Sequence, residues 1–496
     1  MTTRVVKGSL WTLTGQVLPL AVSLVAMPFV IRLLGTDGYG VLILIGLIPG
    51  YFGFADFGMV IASTKFGSEA YAASEPNREG RVVRTAAVIA FLTSLPIAVA
   101  ITTLSGWIVT IFNFPEGLKS EGALALKFAA VTFVINFLNG IFNTPQLARL
   151  RMDLNTLVAS GFRIIGIIAT PVVIYLGGGI LGAVIVLMIA SLLTLVGHVY
   201  ISGRLLPQLF DISLDAKVIR PLIKFASAVA ISAVAGVLLI NLEKAVLAKT
   251  VSVNALAYYS VAFTLATMTT MFSSSMTQSL IPAFSQLLEP EFADRLNNLF
   301  TRALRMNFLM ILPLLTVLIA LARPTFTIWA GEDFGENSTG TFYILAGGVF
   351  LNLMAHIPYS LLMATGRSEV FAKVHWMELF PYLAILAVRT INYGAAGAAT
   401  AWSLRISADA VIISWLLRRS SSIRFNFWNG RRLPFTIAIL LISLPIGVTL
   451  IADGYGYFPI IAAAIAVPVY VGIALKLLID AEEKRWLIDR FSFLRA

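Results

Sequence analysis

Uninterrupted apolar runs of about twenty residues, each closed by a short polar turn, recur from one end of this chain to the other. A run of that length crosses the hydrocarbon of a bilayer as a helix, because a helix satisfies its backbone hydrogen bonds within the segment. Fourteen spans can be placed, at 9–31, 41–62, 83–109, 122–145, 157–176, 180–201, 225–242, 254–281, 306–329, 341–363, 370–391, 394–417, 434–452 and 457–479. Composition agrees. Only 12% of residues are charged, about half the share typical of soluble domains, so polar surface is too scarce to face water on all sides. The pattern predicts an all-α polytopic membrane protein.

Charge then orients it. A net charge of +11 suggests nucleic acid in a soluble protein, but here the basic residues alternate by loop. Arg4 and Lys7, Lys65 to Arg84, Arg149 and Arg151, Arg204 to Lys224, Arg295 to Arg305, Arg367 and Lys373, Arg418 to Arg432, and Lys476 to Arg495 share one side. The opposite loops carry few cations, Lys119, Lys249 and Arg389 among them, beside acids such as Glu332, Asp333 and Glu336. The positive side being cytoplasmic, both termini are expected there, with no nucleic-acid partner. The first apolar run lacks a small-residue processing site and reads as a retained span rather than a signal peptide. Cysteine is absent, which excludes disulfides and thiolate metal sites. No GxxxxGK[ST] loop occurs, and Gly177-Gly178-Gly179 reads as an outer turn. Neither cofactor nor metal is expected. Energy must come from an ion gradient, with proton and sodium both open, from the substrate gradient, or from a partner.

The predicted organisation is two pseudo-symmetric six-helix bundles plus two C-terminal spans. The boundaries are 1–201 for the first lobe, 202–224 for a cytoplasmic linker, 225–417 for the second lobe, 418–433 for a basic loop, 434–479 for the appended spans and 480–496 for a cytoplasmic tail. The symmetry rests on two stretches with one layout, a polar turn, a small-aromatic pair and then a long span: Arg32 onward and Val251 onward. Repeats of this kind place a transport path between two bodies.

Polar groups inside apolar spans mark function by default. Asp56, between Phe54 and Phe57, suits proton binding or a guanidinium partner, or else a structural role at a helix break loosened by Gly53 and Gly58. Asn136, Asn139 and Asn143, at i, i+3 and i+7, are expected on one helical face, either bonding a neighbouring helix or meeting sugar hydroxyls. Gln16 and Pro19 in the first span are expected to continue that surface, with a bend at Pro19. Arg163, early in the fifth span, either snorkels to the cytoplasmic boundary or offers its planar fork to phosphoryl oxygens; Arg32 carries the same two readings at the outer surface. Lys244, beside Glu243 at the end of the seventh span, either tethers a phosphate or forms an interfacial pair. Arg405 and Asp409, four residues apart, are expected to pair on one helix. His375 and Glu378 form a titratable pair or a solvated interface. His198 and His356 read as packed, hydrogen-bonded side chains, and Ser273, Ser274, Ser275, Thr277 and Gln278 as a hydroxyl-rich strip. None of these makes a catalytic triad or a metal site, so no covalent chemistry is expected.

Leu34-Gly35, Tyr39-Gly40 and Asp56-Phe57-Gly58, in that order and membrane context, resemble the Wzx-type oligosaccharide flippases, polysaccharide biosynthesis transporters of the multidrug/oligosaccharidyl-lipid/polysaccharide exporter superfamily. The segment Ala257 to Ala262 resembles the opening of that family's second lobe. The resemblance implies a transporter of a bacterial or archaeal inner membrane that moves an isoprenoid-pyrophosphate-linked oligosaccharide from the cytoplasmic to the outer leaflet by alternating access. Its partners would be that lipid-linked glycan, bilayer lipids and a glycan polymerase or assembly machinery, with a monomer sufficient. It implies that Arg32, Arg163, Lys244 and Arg405 meet phosphates and Asn136, Asn139 and Asn143 meet sugar, while Asp56, Asp409, Glu378 and His375 are coupling or structural. An ion-coupled multidrug exporter, a peptidoglycan-precursor flippase and a non-transport scaffold are the alternatives.

Overall fold

A computed structural model describes residues 2–56, 58–211, 216–365, 368–420, 432–451 and 457–479. Every regular element among them is helical. Nine described segments are long and apolar enough to cross a membrane, and the chain is a multi-pass membrane protein. The nine accommodate more spans than their number because three contain a reversal at glycine. Helix α1 (Thr2–Gly50) breaks at Gly35, with φ 71° and ψ 175°, a region that only glycine enters without strain. The polar turn expected over 35–40 is therefore a single-residue break, and Thr36 to Gly40 are helical. Glycines 177 and 179, both at positive φ, turn the chain outside the spans as expected.

The first compact unit is Met1–Ala257. After α1, a 3-10 turn (Gly53–Asp56) and Gly58 at φ 75° lead into α2 (Met59–Ala72), so the span expected at 41–62 is bent in the middle. Pro76 opens α3 (Pro76–Thr103), where its missing N–H costs nothing. The unit continues with α4 (Ser105–Ile111), α5 (Lys119–Phe142), α6 (Thr144–Ala148), α7 (Met152–Val173), α8 (Gly179–Leu205) and α9 (Ala216–Thr250). One apolar cluster joins Val41, Leu44 and Ile45 of α1 to Leu126 of α5, Val184 of α8 and Val253. A second joins Met59, Val83 and Ile141 to Leu206, Leu209 and Leu222. The expected linker 202–224 accordingly lies within this unit, where its described residues pack. Glu121 of α5 accepts the Leu181 N–H at 2.9 Å, capping an otherwise open α8 N-terminus. At the other end Arg149 clasps Glu79 with two nitrogens, at 2.5 and 3.1 Å, and lies over the Tyr71 ring.

The second unit is Tyr258–Ala496. Helix α10 (Val253–Met268) runs into it, followed by α11 (Thr270–Ser285), α12 (Ala293–Ala330), α13 (Glu332–Ala364), α14 (Ser368–Ser420), α15 (Arg432–Ile451) and α16 (Phe458–Ile473). Helix α14 contains Gly394 at φ 55° and ψ −132°, and a Cβ on Gly397 would collide with the Arg389 carbonyl. Two spans therefore double back there. The C-terminal pair is anchored on α12: Phe435, Ile442 and Tyr470 bury against Leu309 and Leu312, and the Tyr470 hydroxyl donates to the Leu309 carbonyl at 3.3 Å.

Candidate functional site

The polar stripe of the fourth span is divided by the fold. Asn136 is exposed and lines a pocket of about 280 Å³ within the first unit, among Ile45, Pro49 and Gly53 from the α1 end, Thr132, Phe133 and Phe137 of α5, and Leu187 of α8. Each residue turns a helix by about 100°, so Asn136 points about 140° away from the exposed Val131 on the lipid-facing side. Asn139 instead donates to the Ser191 carbonyl of α8 at 3.2 Å and reaches Asn136 Oδ1 at 3.4 Å. It is the expected interhelical bond, and it also orients the pocket asparagine. Asn143 falls past the end of α5, where its carbonyl accepts the Gln146 N–H, so it does not continue the helical face predicted for it. Thr132 escaped the sequence reading although it lies at i−4 from Asn136, the spacing that would have revealed it.

Arg163 is exposed eleven residues into α7, about 16 Å along the helix from its start. The exposed large apolar side chains of α7 are Leu157, Ile165, Ile168 and Val172, and these point about 120° to 180° away from Arg163. The guanidinium thus emerges on the side opposite the lipid-facing stripe. Thr156 and Ser160, near the same polar side, donate to the Trp11 and Gly15 carbonyls of α1 at 3.2 and 2.9 Å. Gln16 is exposed and Pro19 buried in α1. Arg32 differs. It shares a face with the exposed Val25 and Phe29 and precedes the Gly35 break, the place of an interfacial cation.

Lys244 lies inside α9, which runs to Thr250 rather than ending at 242. Its ammonium donates to Asn241 Oδ1 at 3.0 Å, beside a fully buried Glu243, while the Tyr51 hydroxyl donates to the Asn241 carbonyl at 2.6 Å. This is a packed polar junction between α9 and the bend that carries Asp56. The Asp56 backbone closes the 3-10 turn there, and its side chain lies outside the described residues.

In the second unit the two charged pairs read separately from the sequence become one cluster. Arg405 makes an ion pair with Glu378 on the other limb of α14, at 3.6 Å, where the sequence pointed to Asp409 on its own limb. Glu378 and Asp409 are 8% and 9% exposed, which rules out a solvated interface. Asp409, His375 and Tyr359 of α13 lie within electrostatic reach of this cluster. The Tyr382 ring lies 5.5 Å from the guanidinium carbon. Tyr382 follows Glu378 by four residues, so its place on that face was legible. Two other expectations hold: His198 Nδ1 lies 3.1 Å from Gln146 Nε2, and His356 Nδ1 lies 3.4 Å from the Thr277 hydroxyl. In the hydroxyl strip, Ser273 donates to Asn307 Oδ1 at 2.7 Å, a helix-to-helix bond, whereas the Ser275 and Gln278 side chains lie outside the described residues. No group of His, Asp and Glu among the described residues is arranged to hold a metal.

The family model described as polysaccharide biosynthesis protein matches residues 5–288. A Shigella flexneri protein described as a candidate O-antigen transporter is 24% identical over 430 residues, covering 85% of this chain and all of that protein. Among solved structures, the lipid II flippase MurJ in an inward closed conformation matches with a TM-score of 0.71 at 14% identity, over 96% of this chain and 100% of its own. An inward-facing multidrug resistance transporter of the MATE family, in the MOP superfamily, matches with 0.67 at 11% identity, over 81% and 96%.

Proposed function

We propose, from the premise that the chain belongs to the polysaccharide biosynthesis protein family, that this flippase-type transporter moves an isoprenoid-pyrophosphate-linked oligosaccharide from the cytoplasmic to the outer leaflet of a bacterial or archaeal inner membrane. The similarity to the O-antigen transporter description along that protein's whole length carries the reading. The geometry supports it at two points. Arg163 offers a guanidinium on the side of α7 away from lipid, where a pyrophosphate would meet a planar two-donor fork. Asn136 and Thr132 give a largely apolar pocket the donor and acceptor groups that sugar hydroxyls require. The isoprenoid stays in the bilayer while the polar head crosses, and no covalent bond of the cargo changes. The termini lie on the cytoplasmic side, two lobes alternate access to the two faces, and one copy of the chain suffices. Arg32 serves the outer headgroup region; Lys244 and Arg405, each held by polar neighbours, act as fixed charges more than as mobile ligands.

The test places purified protein in liposomes with a labelled polyprenyl-pyrophosphate oligosaccharide and follows its appearance in the opposite leaflet, against empty and heat-inactivated controls. Protein-dependent flipping is expected. Folded protein that leaves this lipid in place but exports small amphipathic cations would overturn the glycan reading in favour of a multidrug exporter.

A further inference from the structure

Two kinds of helical glycine occur in the first unit. A Cβ on Gly122, Gly15, Gly140 or Gly166 would stand 2.6 to 2.8 Å from Phe114, Thr156, Val60 or Ala190 respectively, so each of these serves close packing. Gly46, Gly50 and Gly53 differ. At each of them a Cβ would meet no atom within 4 Å, and none has a positive φ. Neither packing nor backbone conformation calls for glycine there, least of all at Gly46 inside α1, where glycine is the poorest ordinary residue. All three, at i, i+4 and i+7, line the pocket of about 280 Å³ that also holds Thr132, Phe133, Asn136 and Phe137. Their missing side chains leave that pocket open. Its polar groups are few and complementary. Asn139 donates to Asn136 Oδ1 at 3.4 Å, which leaves the Asn136 amide N–H groups to donate, and the Thr132 hydroxyl gives its proton to the Phe128 carbonyl at 2.9 Å, which leaves its oxygen to accept. Donor and acceptor stand one turn apart on α5, about 6 Å along its axis. No charged side chain lines the pocket among the described residues, and the Phe133 and Phe137 rings, 4.6 Å between centroids, form an apolar wall.

We propose, resting on the glycan reading above, that this pocket cradles one uncharged acetamido sugar of the cargo, its amide C=O on Asn136, its amide N–H on Thr132 and its methyl against the Phe133 and Phe137 rings. A trans amide points its C=O and N–H in opposite directions, which suits two partners a helical turn apart. An unsubstituted hexose would bury hydroxyls for which the lining has no partner, and a hexuronic acid would bury a carboxylate with no cation in the lining. The volume lies just below that of pockets for drug-sized ligands, about 300 Å³ and upward. One ring therefore enters, and the rest of the oligosaccharide stays outside.

The test titrates the purified full chain in detergent with polyprenyl pyrophosphate, bare or carrying a single N-acetylhexosamine, hexose or hexuronic acid. The N-acetylhexosamine lipid should bind about tenfold or more tighter than the others, as a site built around specific hydrogen bonds discriminates. That margin should largely disappear in Gly46→Leu and in Asn136→Leu, while Gly46→Leu should melt no lower than wild type, because its side chain enters open space. Should Gly46→Leu fail to fold, Gly46→Ala combined with Gly50→Ala fills the same pocket with less bulk and carries the same expectation. An undiminished margin in a folded, filled-pocket variant overturns the proposal, as does equal binding of the hexose or hexuronic lipid by wild type. The same lipids in liposomes separate this proposal from the reading it rests on. Flipping of every lipid alike, with no binding margin, overturns the sugar assignment and leaves the flippase standing; the expected margin without flipping upholds the pocket and counts against transport.

Discussion

Arg163 and Asn139 separate two uses of a polar side chain in a membrane helix. Arg163 is exposed on the polar side of α7, so Arg163→Ala should leave thermal unfolding within the small range of surface substitutions. A charge-assisted hydrogen bond contributes about 1.5–3 kcal/mol, and its loss should slow flipping of the pyrophosphate-linked probe by about tenfold or more. Arg163→Lys should restore only part of the rate, because an ammonium lacks the planar fork. Asn139, bonded to the Ser191 carbonyl, should behave oppositely: Asn139→Ala costs about 1 kcal/mol of stability, read by thermal denaturation in detergent. Asn136→Leu, in the pocket, should impair transport more than folding. Equal rates for Asn136→Leu and wild type at equal abundance would remove Asn136 from the glycan path. The spacing of the three asparagines was plain in the sequence. Which of them meets a pocket and which a neighbouring carbonyl depends on where α8 lies, and no local pattern encodes that.

Elements meet here through glycines and buried ion pairs. Gly40 packs so close to Val253 that a Cβ would collide with its carbonyl; Gly40→Leu should therefore cost about 1–3 kcal/mol as overpacking, visible as a lowered melting temperature. The Tyr39-Gly40 element is thus a contact between α1 and the start of α10, which explains why a small residue follows the aromatic one. Glu79 is 1% exposed and held by Arg149. Arg149→Ala would strand a buried carboxylate, at a cost of about 3–5 kcal/mol, and the double change Glu79→Gln with Arg149→Met should recover much of it. If the single and double variants melt together, the pair is not what ties α3 to α6. From sequence Arg149 was one more cytoplasmic loop cation, because its partner lies seventy residues away.

At the scale of the whole molecule, a bilayer supplies little hydrophobic drive between helices, so close packing, interhelical hydrogen bonds and turns define the two units. The sequence by itself determined the membrane class, the helical spans, the turns at Gly35 and Gly177, and the polar residues worth naming. It could do so because bilayer thickness, backbone hydrogen bonding and positive φ are local constraints, written within twenty residues. Tertiary structure alone decided that α9 and the described part of 202–224 pack with the first unit, that Asn139 bonds the Ser191 carbonyl, and that Arg405 reaches across to Glu378. Those outcomes depend on the rotation of one helix against another, and apolar faces that suit lipid and protein equally well leave that rotation undetermined until all the partners are in place.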